Sequence, residues 1–218
     1  MAATVVVSAH LDDAVLSAAA QLMRPGSRLV TVCAGLPPDA GALGEWDILT
    51  GAHDAAARVR ERWLEDDDAA AVLGVAEVVR LGFPDSQHLE GPRTDGAEMT
   101  AALAAQVSDA AEVWLPAGIG GHPDHLATRD AGLLAAAAAP GVPLRHYADV
   151  PYSLGDGWPD AVTGGPDRQV HVLDDEALTR KVKAMACYRT QIPALDHAGA
   201  LAEGDPAAVG IELSWSGR

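Results

Sequence analysis

Short, unbroken apolar runs recur along this chain, and each is followed by a segment of helix length. Residues 4–9, 28–33, 77–81 and 112–116 are too short for helices and rich in valine and leucine. They predict strands buried on both faces, the pattern of a parallel sheet. Helices are predicted over 14–23, 54–73, 97–110 and 124–139, stopped by Arg24-Pro25-Gly26, by Gly74 and by Pro140-Gly141. A fifth strand follows over 144–150. Such alternation demands right-handed crossovers, so the expected fold is α/β: a Rossmann-like, open, mostly parallel sheet with helices on both faces. The glycine- and proline-rich stretch 35–51 reads as a long loop. Past Pro151 the chain becomes loop-rich, with a strand over 170–173 and a helix over 175–188, and the tail from 193 carries little pattern. No repeat or linker divides the chain, so residues 1–218 are expected to form a single domain.

Charge narrows the partners. Fifteen Lys and Arg oppose 31 Asp and Glu, a net charge of −16. That field repels phosphate backbones and anionic lipid, so neither nucleic acid nor a membrane surface is an expected partner. Cys33 and Cys187 share no metal or redox spacing and read as inert thiols in a reducing compartment. The N-terminal residues lack the basic region and length of a secretory signal, and no apolar run approaches the ~18 residues needed to cross a bilayer. The expected location is the cytoplasm. Oligomeric state leaves no trace in the sequence.

In an open α/β sheet, ligands bind at the carboxyl ends of the strands. Two polar clusters fall there: Ser8-Ala9-His10-Leu11-Asp12-Asp13 after the first strand, and Gly120-Gly121-His122-Pro123-Asp124-His125 after the fourth. A phosphate cradle needs glycines in the first turn, whereas this one offers two carboxylates, which suit a cation. Taken singly, His10-x-x-Asp13 reads as a surface pair, Asp12 and Asp13 as helix caps, and the second cluster as a capped loop with Pro123 starting a helix. Together, two imidazoles and a carboxylate make a three-ligand metal site with open positions, the catalytic rather than the structural pattern.

These residues resemble the LmbE-like, or PIG-L, family of de-N-acetylases. The run from Ser8 to Ala14 is similar to the family's Ala-His-Pro-Asp-Asp-Glu signature, with Leu11 in place of proline and Ala14 in place of glutamate. Residues 121–125 are similar to its His-x-Asp-His motif. The likeness continues through Arg62-x-x-Glu65-Asp66, Leu73-Gly74, residues 81–85 and residues 183–191, so it spans about 4–192.

The resemblance implies a metal-dependent amide hydrolase with His10, Asp13 and His125 as ligands to Zn2+, or to Fe2+. It leaves Asp12 as general base, His122 as acid or oxyanion stabiliser, and Asp124 as the group orienting His122. Its substrate class is an N-acyl amino sugar or glycosylated small molecule, whose amide carbonyl is attacked by metal-bound water. A bound metal brings water's pKa towards about 7. Asp85 is expected at sugar hydroxyls or as a turn residue after Pro84. Arg62 either reaches substrate or pairs with Asp66 four residues on. Trp46 either lines the pocket mouth or packs within its loop. Residues 65–68 read as a solvated acidic helix face, and His53, His88, His146, His171 and His197 as structural or surface residues. Two alternatives use the same ligands: a non-haem iron oxygenase, and a non-catalytic metal-containing binding protein.

Overall fold

The computed structural model describes residues 2–39, 41–154, 167–197 and 209–217. Seven strands form one sheet: β1 (Thr4–Ser8), β2 (Arg28–Thr31), β3 (Glu77–Arg80), β4 (Glu112–Pro116), β5 (Leu144–Tyr147), β6 (Gln169–Val172) and β7 (Ile211–Ser216), in the order β3-β2-β1-β4-β5-β7-β6. β1 to β5 run parallel, while β7 is antiparallel to both β5 and β6. Val5, Val6 and Val7 are fully buried, as befits a strand with neighbours on both sides and helices over both faces. From β1 the chain winds outward through β2 and β3, then returns to place β4 on the other side of β1. The two strands whose ends carry the histidine clusters are therefore neighbours, with Val5 opposite Val113. That reversal is where an open α/β sheet leaves a crevice.

The helices cover both faces. Val6, Leu29, Trp114 and Tyr147 pack against α1 (Asp13–Ser17), α2 (Ala19–Leu22), α4 (Ala55–Leu73, after the short α3, Glu45–Leu49) and, later in the chain, Asp175–Met185. Val5, Val7, Val30 and Leu115 pack against α5 (Gly96–Val107) and α6 (Pro123–Ala137) on the opposite face. Helix Asp175–Met185 is α7, and α8 spans Ile192–His197. α4 begins where the Asp54 carboxylate accepts from Ala57 N (2.6 Å), and it ends at Gly74, whose φ of 72° suits glycine. Among the described residues no helix is long and apolar enough to cross a membrane.

Several expectations change. The helix predicted over 14–23 breaks at Ala18 into α1 and α2. Ser17 Oγ accepts from Val150 N (3.0 Å), and the Glu212 carboxylate accepts from Ala19 N (2.8 Å) and Ala20 N (3.1 Å), so a second helix start is capped from outside. Lys181 Nζ closes this arrangement on Glu212 at 2.8 Å, with both side chains buried. The predicted loop 35–51 contains α3, and the tail contains β7. Part of the loop-rich stretch after Pro151 (155–166) and of the tail (198–208) lies outside the described residues.

Only half of the acidic run on α4 is a solvated face, for Asp67 and Asp68 are exposed while the two residues before them turn inward. Glu65 and Asp66 are buried: Glu65 accepts from Thr190 N and Oγ1, and Asp66 from Tyr188 Oη (2.9 Å) and Arg80 (3.2 Å). Burial outweighs these partners and pushes the Asp66 carboxyl up to about 6. The folded state thus holds this proton more tightly than the unfolded chain, so stability present below about pH 4 is lost as pH rises towards 6. The stability of wild type relative to Asp66→Asn should fall across that interval by roughly 3 kcal/mol at most. Urea unfolding of both proteins from pH 4 to 7 checks this, and parallel pH curves would count against it.

Candidate active site

A cavity of about 650 Å³ opens where β1 and β4 end. The turn after β1 is closed by Ser8 Oγ, which donates to His10 O (2.6 Å) and accepts from Ala14 N (3.0 Å). Asp12, at the start of α1, makes no capping bond through its side chain. Among the described residues none donates a hydrogen bond to its carboxylate, which lines the cavity. Asp13 Oδ2 accepts from His10 N (2.7 Å), which turns that carboxylate back over the turn.

Asp13 Oδ2 also lies 3.3 Å from His10 Nδ1 and 3.2 Å from His125 Nε2. Ligand atoms at ~2.0–2.1 Å from one ion, spread tetrahedrally, stand about 3.3 Å apart. Both spacings of Asp13 to the histidines suit neighbouring ligands of one divalent ion. His10, His122 and His125 also offer nitrogens within 4.8 Å of one another. Ligand atoms of Cys33, His10 and Asp124 also lie within 4.8 Å of one another, but burial pushes the Cys33 thiol up, which disfavours the thiolate a metal requires.

The outer nitrogens are held as metal-binding histidines usually are, by carboxylates. His125 Nδ1 meets Asp149 Oδ1 at 2.7 Å, and Asp149 Oδ2 accepts from Ile119 N. His10 Nε2 meets Asp124 Oδ2 at 3.0 Å. Asp124 also accepts from Ser86 N (2.9 Å) and Arg93 (2.6 Å), and Arg93 in turn forks onto Asp95. The expected contact of the Asp124 side chain with His122 is not formed. His122 caps α6 instead, its Nδ1 accepting from Asp124 N (3.2 Å). The Asp124 carboxylate is drawn away because His10 and Arg93 offer it charge-assisted partners, while His122 already has a backbone N–H.

Electrostatics follow these contacts. Burial pulls the His125 pKa down, but Asp13 and Asp149 outweigh it and bring it to about 9. Burial likewise opposes protonation of His10, yet Asp124 and Asp13 hold it well above the usual value. Burial would raise Asp124, but His10, Ser86 N and Arg93 keep it well below the carboxylate range. Burial, then the neighbouring Asp13 charge, pushes Asp12 up to about 7. His122 is lowered by burial and by His10 and His125. A neutral His122 with Nδ1 accepting carries its proton on Nε2.

Asp85 and Arg62 also line the cavity. Asp85 Oδ1 accepts from Gln87 N (3.0 Å) and Oδ2 from Gln87 Nε2, so it stiffens its own turn, with Oδ2 4.0 Å from His10 Nε2. Arg62 does not pair with Asp66. It faces Asp47 at 3.8 Å, and its buried Nε and Nη2 have no hydrogen-bond partner among the described residues. Sequence reasoning missed Asp149 and Arg93. Asp149 follows β5 at its carboxyl end, the same position that exposed the other clusters. Arg93 carries no signal, being 31 residues from its partner.

The model of a family described as GlcNAc-PI de-N-acetylase (PIG-L) matches residues 5–136. No curated protein sequence matches significantly. Among solved structures, a triple mutant of a deacetylase from the teicoplanin biosynthetic pathway is 30% identical, with a TM-score of 0.81 over 99% of this chain and 97% of that one. The deacetylase of the A40926 pseudoaglycone is 32% identical, with a TM-score of 0.77 over 98% and 96%. A zinc-inhibited form of teicoplanin deacetylase is 27% identical, with a TM-score of 0.75 over 98% and 97%.

Proposed function

Because the chain belongs to the PIG-L family of deacetylases, hydrolases of amide bonds on acetylated sugars, we propose that it is a metal-dependent de-N-acetylase of an N-acyl amino sugar carried on a glycosylated small molecule. The observation that carries this reading is the approach of Asp13 Oδ2 to both His10 Nδ1 (3.3 Å) and His125 Nε2 (3.2 Å), beside an unbonded Asp12. These three residues would hold Zn2+ or Fe2+, with Asp124 and Asp149 orienting the imidazoles. When bound, the ion supplies a Lewis acid that polarises the amide carbonyl and acidifies water.

The protein's own groups do the rest. Asp12 takes a proton from the attacking water and returns it to the departing amine. His122 donates Nε2–H to the carbonyl oxygen as negative charge develops there, since its Nδ1 is engaged by Asp124 N. Arg62, whose buried Nε and Nη2 make no hydrogen bond among the described residues, and the Asp85 carboxylate are assigned to substrate carbonyls and hydroxyls. The reading treats residues 1–218 as one domain, supported by a single sheet that takes strands from Thr4 to Ser216. It places the protein in the cytoplasm, in keeping with two free cysteines.

Metal analysis of purified protein, joined to an amine-release screen across N-acetylated sugars, tests the function. Chelation should abolish turnover, and one equivalent of Zn2+ or Fe2+ per chain should restore it. Acetate and free amine should appear without oxygen consumption. Oxygen uptake would favour the oxygenase chemistry open to the same ligands, and a filled site without turnover of any amide would favour a binding protein.

A further inference from the structure

We infer that Trp46 is a built platform for the carbohydrate ring of the substrate and sets the specificity of this site. The inference rests on the proposed hydrolase reading for the ligand's identity and on the following geometry for its place.

α3 is only five residues long, and two of them, Ile48 and Leu49, are 64% and 57% exposed. Core packing does not hold such a helix. Polar anchors do. Gln87 Oε1 accepts from Trp46 N (3.1 Å) and Asp47 N (3.3 Å), tying the helix start to the turn after β3. Asp47 is fully buried, accepts from Gly44 N and stands 3.3 Å from His88 Nε2. Any side chain at Gly44 would collide with Gln87. The indole is fixed separately, with Trp46 Nε1 donating to Gln191 Oε1 at 2.7 Å. Gln191 donates to Thr190 Oγ1 (2.8 Å), which donates to the buried Glu65 (2.7 Å). A connected polar chain therefore runs from the middle of α4 to one half-buried indole.

Trp46 and Gln191 line the same cavity as His10, Asp12 and His125. Because Gln191 takes the indole N–H, the ring has no donor left for a ligand and has only apolar contact to offer. Asp85 and Glu45, on the same lining, supply acceptors. An apolar plate beside hydroxyl acceptors suits a pyranose, whose C–H face is apolar and whose rim is polar. At about 650 Å³ the cavity has the size of sites for whole drug-sized ligands, ample for a sugar with an attached group.

The test uses N-acetylglucosamine and the acyclic amide N-acetylethanolamine with the metal-loaded enzyme. Sugar binding is followed by calorimetry and by saturation-transfer NMR. Trp46→Leu should weaken N-acetylglucosamine binding and raise its KM by about 10-fold, with kcat within about 3-fold, while Trp46→Phe stays close to wild type. Gln191→Leu should fall between them. N-acetylethanolamine turnover should be unchanged throughout. Unaltered sugar binding in Trp46→Leu, or no sugar binding by wild type, overturns the inference. An equal loss for both amides also overturns it, because that places the indole against the acyl group. Sugar binding that depends on Trp46 in a protein releasing no amine would uphold the platform and sink the hydrolase reading.

Discussion

Replacing Asp12 with asparagine is expected to lower kcat by about 10²–10⁴-fold while the protein keeps its full complement of metal. Asparagine has the same shape but cannot take a proton from water. The Asp12 carboxylate lies beside the proposed ligands, lines the cavity and accepts no hydrogen bond from any described residue. Asp13→Ala should behave differently. Asp13 Oδ2 is the atom shared between His10 and His125, so its removal should empty the site and abolish turnover together. Elemental analysis of both variants, set beside their kcat, separates the roles. Normal turnover by Asp12→Asn would falsify the base assignment. Loss of metal from Asp12→Asn would make it a fourth ligand and favour a closed, structural site.

Lys181→Ala should destabilise the protein by about 3–5 kcal/mol, the usual result of stripping one partner from a buried ion pair. Lys181 is fully buried and Glu212 is 4% exposed. Without the ammonium, the carboxylate keeps, among the described residues, the N–H groups of Ala19 and Ala20. Lys181→Met with Glu212→Leu should recover part of the loss, but not all, because those two N–H groups then lose their acceptor. Urea unfolding measures both. A change below about 1 kcal/mol for Lys181→Ala would show that water reaches the pair.

The parts legible in the sequence are those where local pattern and tertiary role coincide. β1, β2 and β4 are buried on both faces, so their apolar runs need no partner to be recognised, whereas β3 at the sheet edge is less buried than its valines suggest. The two histidine turns stand out because several ligand-type residues crowd into a few positions at strand ends. Asp149 stands alone in the sequence, and a lone carboxylate shows no spacing even though it meets His125 at 2.7 Å. The break at Ala18 lies in a run of good helix formers and is imposed by Ser17, Val150 and Glu212 from elsewhere in the fold. β7 escaped notice because its buried positions include Glu212 and Ser214, so its polar side faces inward. Sequence proximity pairs Asp124 with His122, whereas its stronger partners, His10 and Arg93, come from distant segments.

The clamp of Glu212 on the start of α2 also has a bearing on biogenesis. It joins residues 193 positions apart, yet it anchors the segment directly following Asp12 and Asp13. At about 5–20 residues per second the ribosome needs roughly 10–40 s to travel from one to the other. Throughout that interval the emerging polypeptide carries its first histidine and aspartates ahead of a helix start that still lacks its outside cap, which arrives only with β7.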